Sequence, residues 1–154
     1  MQKIVPFLWF DSNAEEAANF YVSVFKNGKI TDIRRYGPDS PGPEGSVMSV
    51  SFELNSEEFI GLNGGPLFHF NESVSFFVNC DSQDEVDDLW AKLTADGGQE
   101  SQCGWLKDKF GLSWQIVPTE MASILGDPDP TKANRAMQAM LKMKKIDLQA
   151  LRDA

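Results

Sequence analysis

The sequence FLWFDSNAE at residues 7–15 is the strongest indication of the fold, because FVNCDSQDE at residues 77–85 repeats its pattern of residue types. Phe, Asp, Ser and Glu stand at matching places in both copies, and Gly28 and Gly98 follow at the same offset. Each copy reads as an apolar strand, then Asp-Ser, then an amphipathic helix that a glycine ends. The spacing Ser-x-x-Glu predicts a capping box at each helix start. The repeat therefore predicts two small modules, and paired modules often form a cleft where they meet.

Each module is predicted to run strand-helix-strand-strand-strand. The strands are expected at residues 5–10, 29–36, 47–54 and 58–63, and again at 74–80, 99–102, 104–107 and 113–118. We expect one domain over 1–154, with module one at about 1–65, a linker at 66–72, module two at about 73–118 and a helical tail at 119–154. In the tail, Asp127 to Pro130 precede a helix with methionines on one side. That side is expected to cover a sheet edge or to form a dimer contact.

The composition argues against two classes of partner. The 154 residues carry a net charge of −9 with no long basic run, whereas binding to phosphates needs a basic surface. We therefore expect no nucleic-acid partner. No apolar stretch approaches the roughly 20 residues of a membrane span, and MQKIVPFLWF lacks a signal-peptide pattern. We expect no membrane partner and a cytoplasmic location. The spacing of Cys80 and Cys103 fits neither a metal site nor a redox pair, so both are expected to be reduced thiols.

Four stretches resemble one known family. They are PFLWFDSNAEEAANFY at 6–21, LNGGPLFHFNESVSF at 62–76, DEVDDLWAKL at 84–93 and CGWLKDKFGLSWQIVP at 103–118. The repeated module is similar to the vicinal oxygen chelate superfamily, the fold of glyoxalase I, extradiol dioxygenases and bleomycin-resistance proteins. Within it, the stretches resemble the PhnB-like family, often labelled demethylubiquinone methyltransferase. The resemblance implies an α+β fold of two βαβββ modules, whose mixed sheets curl into half-barrels around a ligand cleft, and a homodimer.

The residues do not support the methyltransferase label. A nucleotide-like cofactor needs a glycine-rich turn after the first strand of a parallel sheet, and the sequence predicts antiparallel hairpins instead.

The resemblance also implies where a metal would bind. Metal-dependent members of the superfamily use His or Gln on a module's first strand and Glu on its last. Carried over to this chain, these positions are Ile4, Val74, Leu62 or Asn63, and Gln115. Only amides remain there, and neutral amides alone hold a hard cation weakly. We therefore expect no standard metal site and no cofactor. An improvised site from Glu53, His69 or Asp108 is the alternative.

The residues expected to contact a ligand are polar or aromatic. They are Trp9, Ser49, Ser51, Asn63, Ser75, Trp105, Ser113 and Gln115. Tryptophan suits stacking on a flat or apolar molecule, and amides fix its orientation. Neighbouring Trp114 and Gln115 must point to opposite faces of a strand. We expect Gln115 in the cleft, because burying an amide under a helix without a partner costs about 1–3 kcal/mol.

Functions from different classes fit these residues. The first is a small-molecule binding protein without the standard metal site, whose ligand is partly aromatic or apolar. The second is a lyase, isomerase or dioxygenase-type enzyme with a divergent metal site or metal-free acid–base chemistry. Its candidate catalytic residues are Glu53, Cys103 and Asp108. A homodimer without any ligand is a third possibility, and no substrate can be named from the sequence.

Overall fold

The computed structural model describes the whole chain, Met1–Ala154, as two compact units, Met1–Phe70 and Asn71–Ala154. The strands are β1 (Phe7–Phe10), β2 (Lys29–Arg35), β3 (Val47–Leu54), β4 (Glu57–Asn63), β5 (Ser75–Cys80), β6 (Gln99–Glu100), β7 (Trp105–Lys107) and β8 (Ser113–Pro118). The helices are α1 (Ala14–Val24), α2 (Gln83–Thr94), α3 (Glu120–Leu125), α4 (Pro130–Met140) and α5 (Leu148–Arg152). The predicted α+β class with two βαβββ modules is confirmed, and both mixed sheets are open rather than closed barrels.

The first unit forms a sheet in the order β1-β4-β3-β2, in which only β1 and β4 run parallel. Alternation along β3 buries Val50, Phe52 and Leu54 on the side of α1. The ring of Tyr21 on α1 stacks on Phe52 with centroids 6.1 Å apart. The other side of this sheet is called the first open face here. Its residues include Phe7, Trp9, Ser49, Ser51, Glu53, Ile60 and Leu62.

The second unit repeats this arrangement in the order β5-β8-β7-β6, with β5 and β8 parallel. Leu106, Trp114 and Ile116 are buried on one side, where α2 contacts β7 and β8. The opposite side is called the second open face. It carries Ser75, Phe77, Asn79, Trp105, Lys107, Ser113, Gln115 and Val117.

The repeated glycines have one steric cause. A Cβ atom at Gly28 would lie 2.6 Å from the Cα of Val22, and one at Gly98 would lie 2.6 Å from the carbonyl oxygen of Leu93. Both glycines therefore let the chain return closely against the helix that it has just left. The left-handed residue that follows α1 is Asn27, with φ of 55°.

The two helix starts differ, although their sequences match. In α2, Ser82 Oγ accepts the Glu85 N–H at 3.2 Å, and the Glu85 carboxylate accepts the Asp81 N–H at 2.9 Å. In α1 the N-cap is Asn13, whose side chain makes no capping bond. The capping box predicted at Ser12 was therefore wrong. A side chain from β4 caps this helix instead, as described below.

The tail docks on the second unit through backbone groups. Cys103 and Gly104 donate N–H bonds to the carbonyls of Met143 and Lys144, each at 2.8 Å. Gln83 Nε2 donates to the Ile146 carbonyl at 2.8 Å, and Gln83 Oε1 accepts the Leu148 N–H at 2.9 Å. Ile146 is consequently buried.

The predicted helix after Asp129 is present as α4, with Asp129 Oδ1 accepting the Thr131 N–H at 3.0 Å. Its buried residue is Ala136, whereas Met137 and Leu141 are exposed. Helix α4 packs chiefly on α3 and α5 rather than on a sheet edge, and Met140 on its methionine side is half-buried. Helix α3 lies in the segment predicted as a helical tail, although no separate helix was predicted at its position. No helix in the chain has both the length and the apolar character needed to cross a membrane.

Candidate functional site

Four residues expected to contact a ligand meet on the second open face. Ser75 and Ser113 are cross-strand partners, as are Trp105 and Gln115. Gln115 Nε2 donates to Ser75 Oγ at 3.0 Å. The alternation predicted for β8 is observed, because Trp114 is buried under α2 while Gln115 lies half-buried on the opposite side. The structure therefore brings a tryptophan, two hydroxyls and an amide together on one sheet surface.

The turn that positions β8 is built around Asp108. Its Oδ1 accepts N–H bonds from Phe110 at 2.8 Å and Leu112 at 3.1 Å, and its Oδ2 accepts the Trp114 Nε1–H at 2.8 Å. This buried carboxylate thereby fixes both the turn and the orientation of the tryptophan. Because Asp108 holds Trp114 on one side of β8, the neighbouring residues Ser113 and Gln115 lie on the other side.

Ser113 has the one buried side-chain oxygen in the chain that lacks a hydrogen-bond partner. The residue is 1% exposed and lines a pocket of about 170 Å³. Trp105, Lys107 and Glu72 line the same pocket. A buried hydroxyl without a partner costs about 1–3 kcal/mol, so native proteins rarely keep one. This orphan hydroxyl marks the pocket as the strongest candidate for a binding site.

An ion pair joins Lys107 Nζ to the carboxylate of Glu72 in this pocket. The hydrogen bond from Lys107 lowers the pKa of the Glu72 carboxyl, which is itself solvent-exposed. Sequence reasoning missed both residues. Lys107 could have been found from its alternation with Trp105 on β7, but nothing local relates it to Glu72, 35 residues earlier.

The remaining ligand candidates lie in the first unit. Trp9 and Ser49 both pair with Leu62, so they share a row of the first open face, and Ser51 follows on β3. Trp9 Nε1 donates to the Gly65 carbonyl at 2.9 Å, and the Trp9 ring packs edge-on against Phe68, with centroids 4.9 Å apart. Its polar group is therefore already bonded within the unit.

Asn63 has a structural role that its sequence context did not reveal. Its Oδ1 accepts the Ala14 N–H at 2.8 Å, and its Nδ2 donates to the Val47 carbonyl at 3.0 Å. The Tyr36 hydroxyl donates to the Asn63 backbone carbonyl at 2.7 Å. Asn63 thus caps α1 and ties β3 and β2 to β4. Ligand contact by Asn63, as by the other candidates, stays a prediction.

Each of the three candidate catalytic residues is engaged with a group of its own unit. Glu53 lies in the first unit and pairs with Lys29 at 3.3 Å. Cys103 Sγ lies 3.6 Å from the Met140 carbonyl, against the tail, and Asp108 is engaged in its turn as described. Cys80 is buried, and burial raises the pKa of its thiol to about 12, which suits a structural thiol rather than a nucleophile.

The positions implied for a metal do not fit one. Ile4 and Val74 have no donor atoms, and the amide of Asn63 is bonded to backbone on both sides. Gln115 alone has an oxygen that no protein group occupies. The chain contains no group of three or more His, Cys, Asp or Glu side chains that could hold a metal ion. His69 is exposed in the segment between β4 and β5.

Three larger pockets lie elsewhere. One of about 460 Å³ lies in the first unit, between the start of α1 and the loop at 37–45. Another, of about 390 Å³, lies among the tail helices. A third, of about 190 Å³, is lined in the first unit by Ser51 and Ile60, among others. None of them contains a buried polar group without a partner, so none marks a binding site as clearly as the Ser113 pocket.

The comparisons with known proteins agree with the fold. A family described as 3-demethylubiquinone-9 3-methyltransferase matches residues 2–117. A putative 3-demethylubiquinone-9 3-methyltransferase, the PhnB protein from Bacillus cereus, is 37% identical over 77% of this chain and 100% of its own, with a TM-score of 0.70. A protein from Pseudomonas aeruginosa is 24% identical, covers 77% of this chain and 98% of its own, and has a TM-score of 0.62. No functionally curated protein matches.

The protein is of the α+β class built from paired βαβββ modules with open mixed sheets. Within that class, the chain belongs to the PhnB-like family described as 3-demethylubiquinone-9 3-methyltransferase. The tail from residue 118 onward lies beyond the matched segment.

Proposed function

We propose that this protein binds a small, partly aromatic or apolar molecule on the second open face, without the standard metal site of its superfamily. The observation that carries the proposal is the unpartnered hydroxyl of Ser113, which lies on this face beside the Gln115–Ser75 pair. Gln115 Oε1 takes no bond from the protein, and the Phe77 side chain next to it is 53% exposed. An apolar surface beside a few fixed polar groups is typical of small-molecule sites.

The methyltransferase description is not supported by these features. Residues 11–13, between β1 and α1, read Asp-Ser-Asn, and residues 81–82, between β5 and α2, read Asp-Ser. Neither turn is glycine-rich, although such a turn lets a backbone approach a nucleotide-like cofactor. The alternative, an enzyme using a divergent metal site or acid–base chemistry, has less support, because Glu53, Cys103 and Asp108 each already contact a protein group.

A fragment screen with and without metal ions tests the proposal. Melting temperatures of the untagged protein are measured with flat aromatic fragments and with added Mn²⁺ or Zn²⁺, and bound metal is measured by elemental mass spectrometry. We expect some fragments to raise the melting temperature of the wild type but not of Gln115→Leu. Gln102→Leu, an exposed glutamine in the same unit, serves as the matched control. A stoichiometric metal on which fragment binding depends would overturn the proposal.

We also propose that two copies of the chain form a homodimer through the tail. The support is an apolar surface at the end of α4 that the chain leaves partly uncovered, where Met137 is 38% and Leu141 is 53% exposed. The double change Met137→Glu and Leu141→Glu would then convert a dimer to a species of 17.2 kDa. Light scattering after gel filtration measures this, and a wild type that already elutes as a single chain would contradict it.

A further inference from the structure

We propose that the Lys107–Glu72 ion pair covers the Ser113 hydroxyl and opens to a carboxylate ligand, which takes the place of Glu72 on Lys107 and accepts a hydrogen bond from Ser113. This inference rests on the proposed small-molecule site and names the chemical class of its ligand. It also gives the orphan hydroxyl a partner in the bound state.

The sheet order places the ion pair across β8. Lys107 belongs to β7, Glu72 precedes β5 by a few residues, and β8 lies between these two strands. Lys107 and Ser75 are the cross-strand partners of Ser113 on either side. A bond from Lys107 to Glu72 must therefore pass over β8 near Ser113. The ion pair thus contributes to the burial of Ser113, which is 1% exposed, on a face where Val117 is also buried but Phe77 and Gln115 keep access to solvent.

The ion pair is suited to exchange rather than to holding the fold together. The Lys107 side chain is 35% exposed and that of Glu72 is 60% exposed. Exposed pairs of this kind add little to stability, because water competes for both charges. Opening the pair therefore costs little when a ligand carboxylate replaces Glu72. The Ser113 hydroxyl, uncovered when the ion pair opens, then donates a hydrogen bond to the ligand carboxylate. It has no such partner while Lys107 is bonded to Glu72.

The charged residues around the pocket favour a ligand carboxylate next to Lys107. The charged residues lining it are Glu72, Glu100 and Lys107. Glu100 Oε1 already accepts the Trp90 Nε1–H at 2.7 Å, so this carboxylate is bonded within the unit. Lys107 is then the one cation, and Glu72 marks the place where a carboxylate binds to it. A donor hydroxyl beside an ammonium is a suitable pair of groups for a carboxylate. Trp105 lines the same pocket and offers a ring surface to the rest of the ligand.

Benzoate and benzamide test the ligand class, because they differ in charge but hardly in shape. Affinities are measured by isothermal titration on the full chain, together with the indole N–H signal of Trp105 in ¹H–¹⁵N spectra. We expect benzoate to bind more tightly than benzamide by at least about tenfold, as charged hydrogen bonds are the stronger ones. Glu72→Gln should raise benzoate affinity by at most about fivefold, since an exposed ion pair is weak. Lys107→Met should abolish the preference for benzoate.

Two further variants complete the experiment. Ser113→Ala should weaken benzoate at least about threefold, because the hydroxyl bond is lost. Asp88→Asn breaks the exposed Lys92–Asp88 pair on α2 and should leave both affinities unchanged. Equal binding of benzoate and benzamide, or no response to Lys107→Met, would overturn the carboxylate assignment while leaving small-molecule binding intact. Failure of these two probes and of every neutral aromatic fragment would overturn both proposals.

Discussion

The paired serines of the second open face give the sharpest prediction about stability. Ser75 and Ser113 are cross-strand partners, but Ser75 Oγ has a partner in Gln115 whereas Ser113 Oγ has none. Replacing Ser75 with alanine removes a hydrogen bond and should lower the free energy of unfolding by about 0.5–1.5 kcal/mol. Replacing Ser113 with alanine removes a buried oxygen whose desolvation is uncompensated. It should raise the free energy of unfolding by about 1 kcal/mol.

The two variants should therefore lie on opposite sides of the wild type, and their free energies of unfolding should differ from each other by about 2 kcal/mol. For a chain of this length, each 1 kcal/mol shifts the melting temperature by about 2–4 °C. Urea unfolding followed by circular dichroism, without any ligand, measures both differences. If Ser113→Ala destabilises the protein as much as Ser75→Ala does, the Ser113 hydroxyl is satisfied in the native state. The argument for a ligand-binding hydroxyl would then be refuted.

Three further predictions concern thiols, the tail and the ion pair. At pH 8 a maleimide should modify Cys103 readily and Cys80 only on unfolding, because burial raises the Cys80 pKa to about 12; equal rates would contradict this. Gln83→Ala should lower the free energy of unfolding by about 1–3 kcal/mol and speed hydrogen exchange of the Leu148 amide, which donates to Gln83. Unchanged exchange at Leu148 would show that the tail docks without Gln83. Lys107→Met should raise the pKa of Glu72 toward the ordinary carboxyl value of about 4.3, measured by carboxyl NMR. In the wild type the ion pair should persist above the lowered Glu72 pKa and open as the pH falls through it, so an unchanged titration would argue against the pair.

The strands were predicted best where alternation is long and uninterrupted. The bounds of β3 and β8 agree with the sequence, because each is a run of six or more mostly buried or half-buried residues. The strand expected at 99–102 is shorter, ending at Glu100. Cys103 and Gly104 follow in left-handed conformations, with φ of 56° and 85°, and turn the chain there. A non-glycine residue in that region is set by tertiary contacts, which the local sequence does not show.

The site was only partly predictable for the same reason. Alternation sufficed to place Ser113 and Gln115 together and Trp114 opposite them. It could not show that Asn63 caps a helix that begins 49 residues earlier, because the sequence signal for a cap is local. It also could not show the pairing of Lys107 with Glu72, which depends on the crossover that brings β5 beside β8.

Mapping of fragment binding in ¹H–¹⁵N spectra of the metal-free protein shows whether the second open face binds a small molecule. We expect a bound aromatic fragment to shift the Trp105 indole N–H and the Gln115 side-chain amide most strongly. Shifts confined to the tail pocket or to the first unit, or binding that requires an added divalent ion, would contradict it.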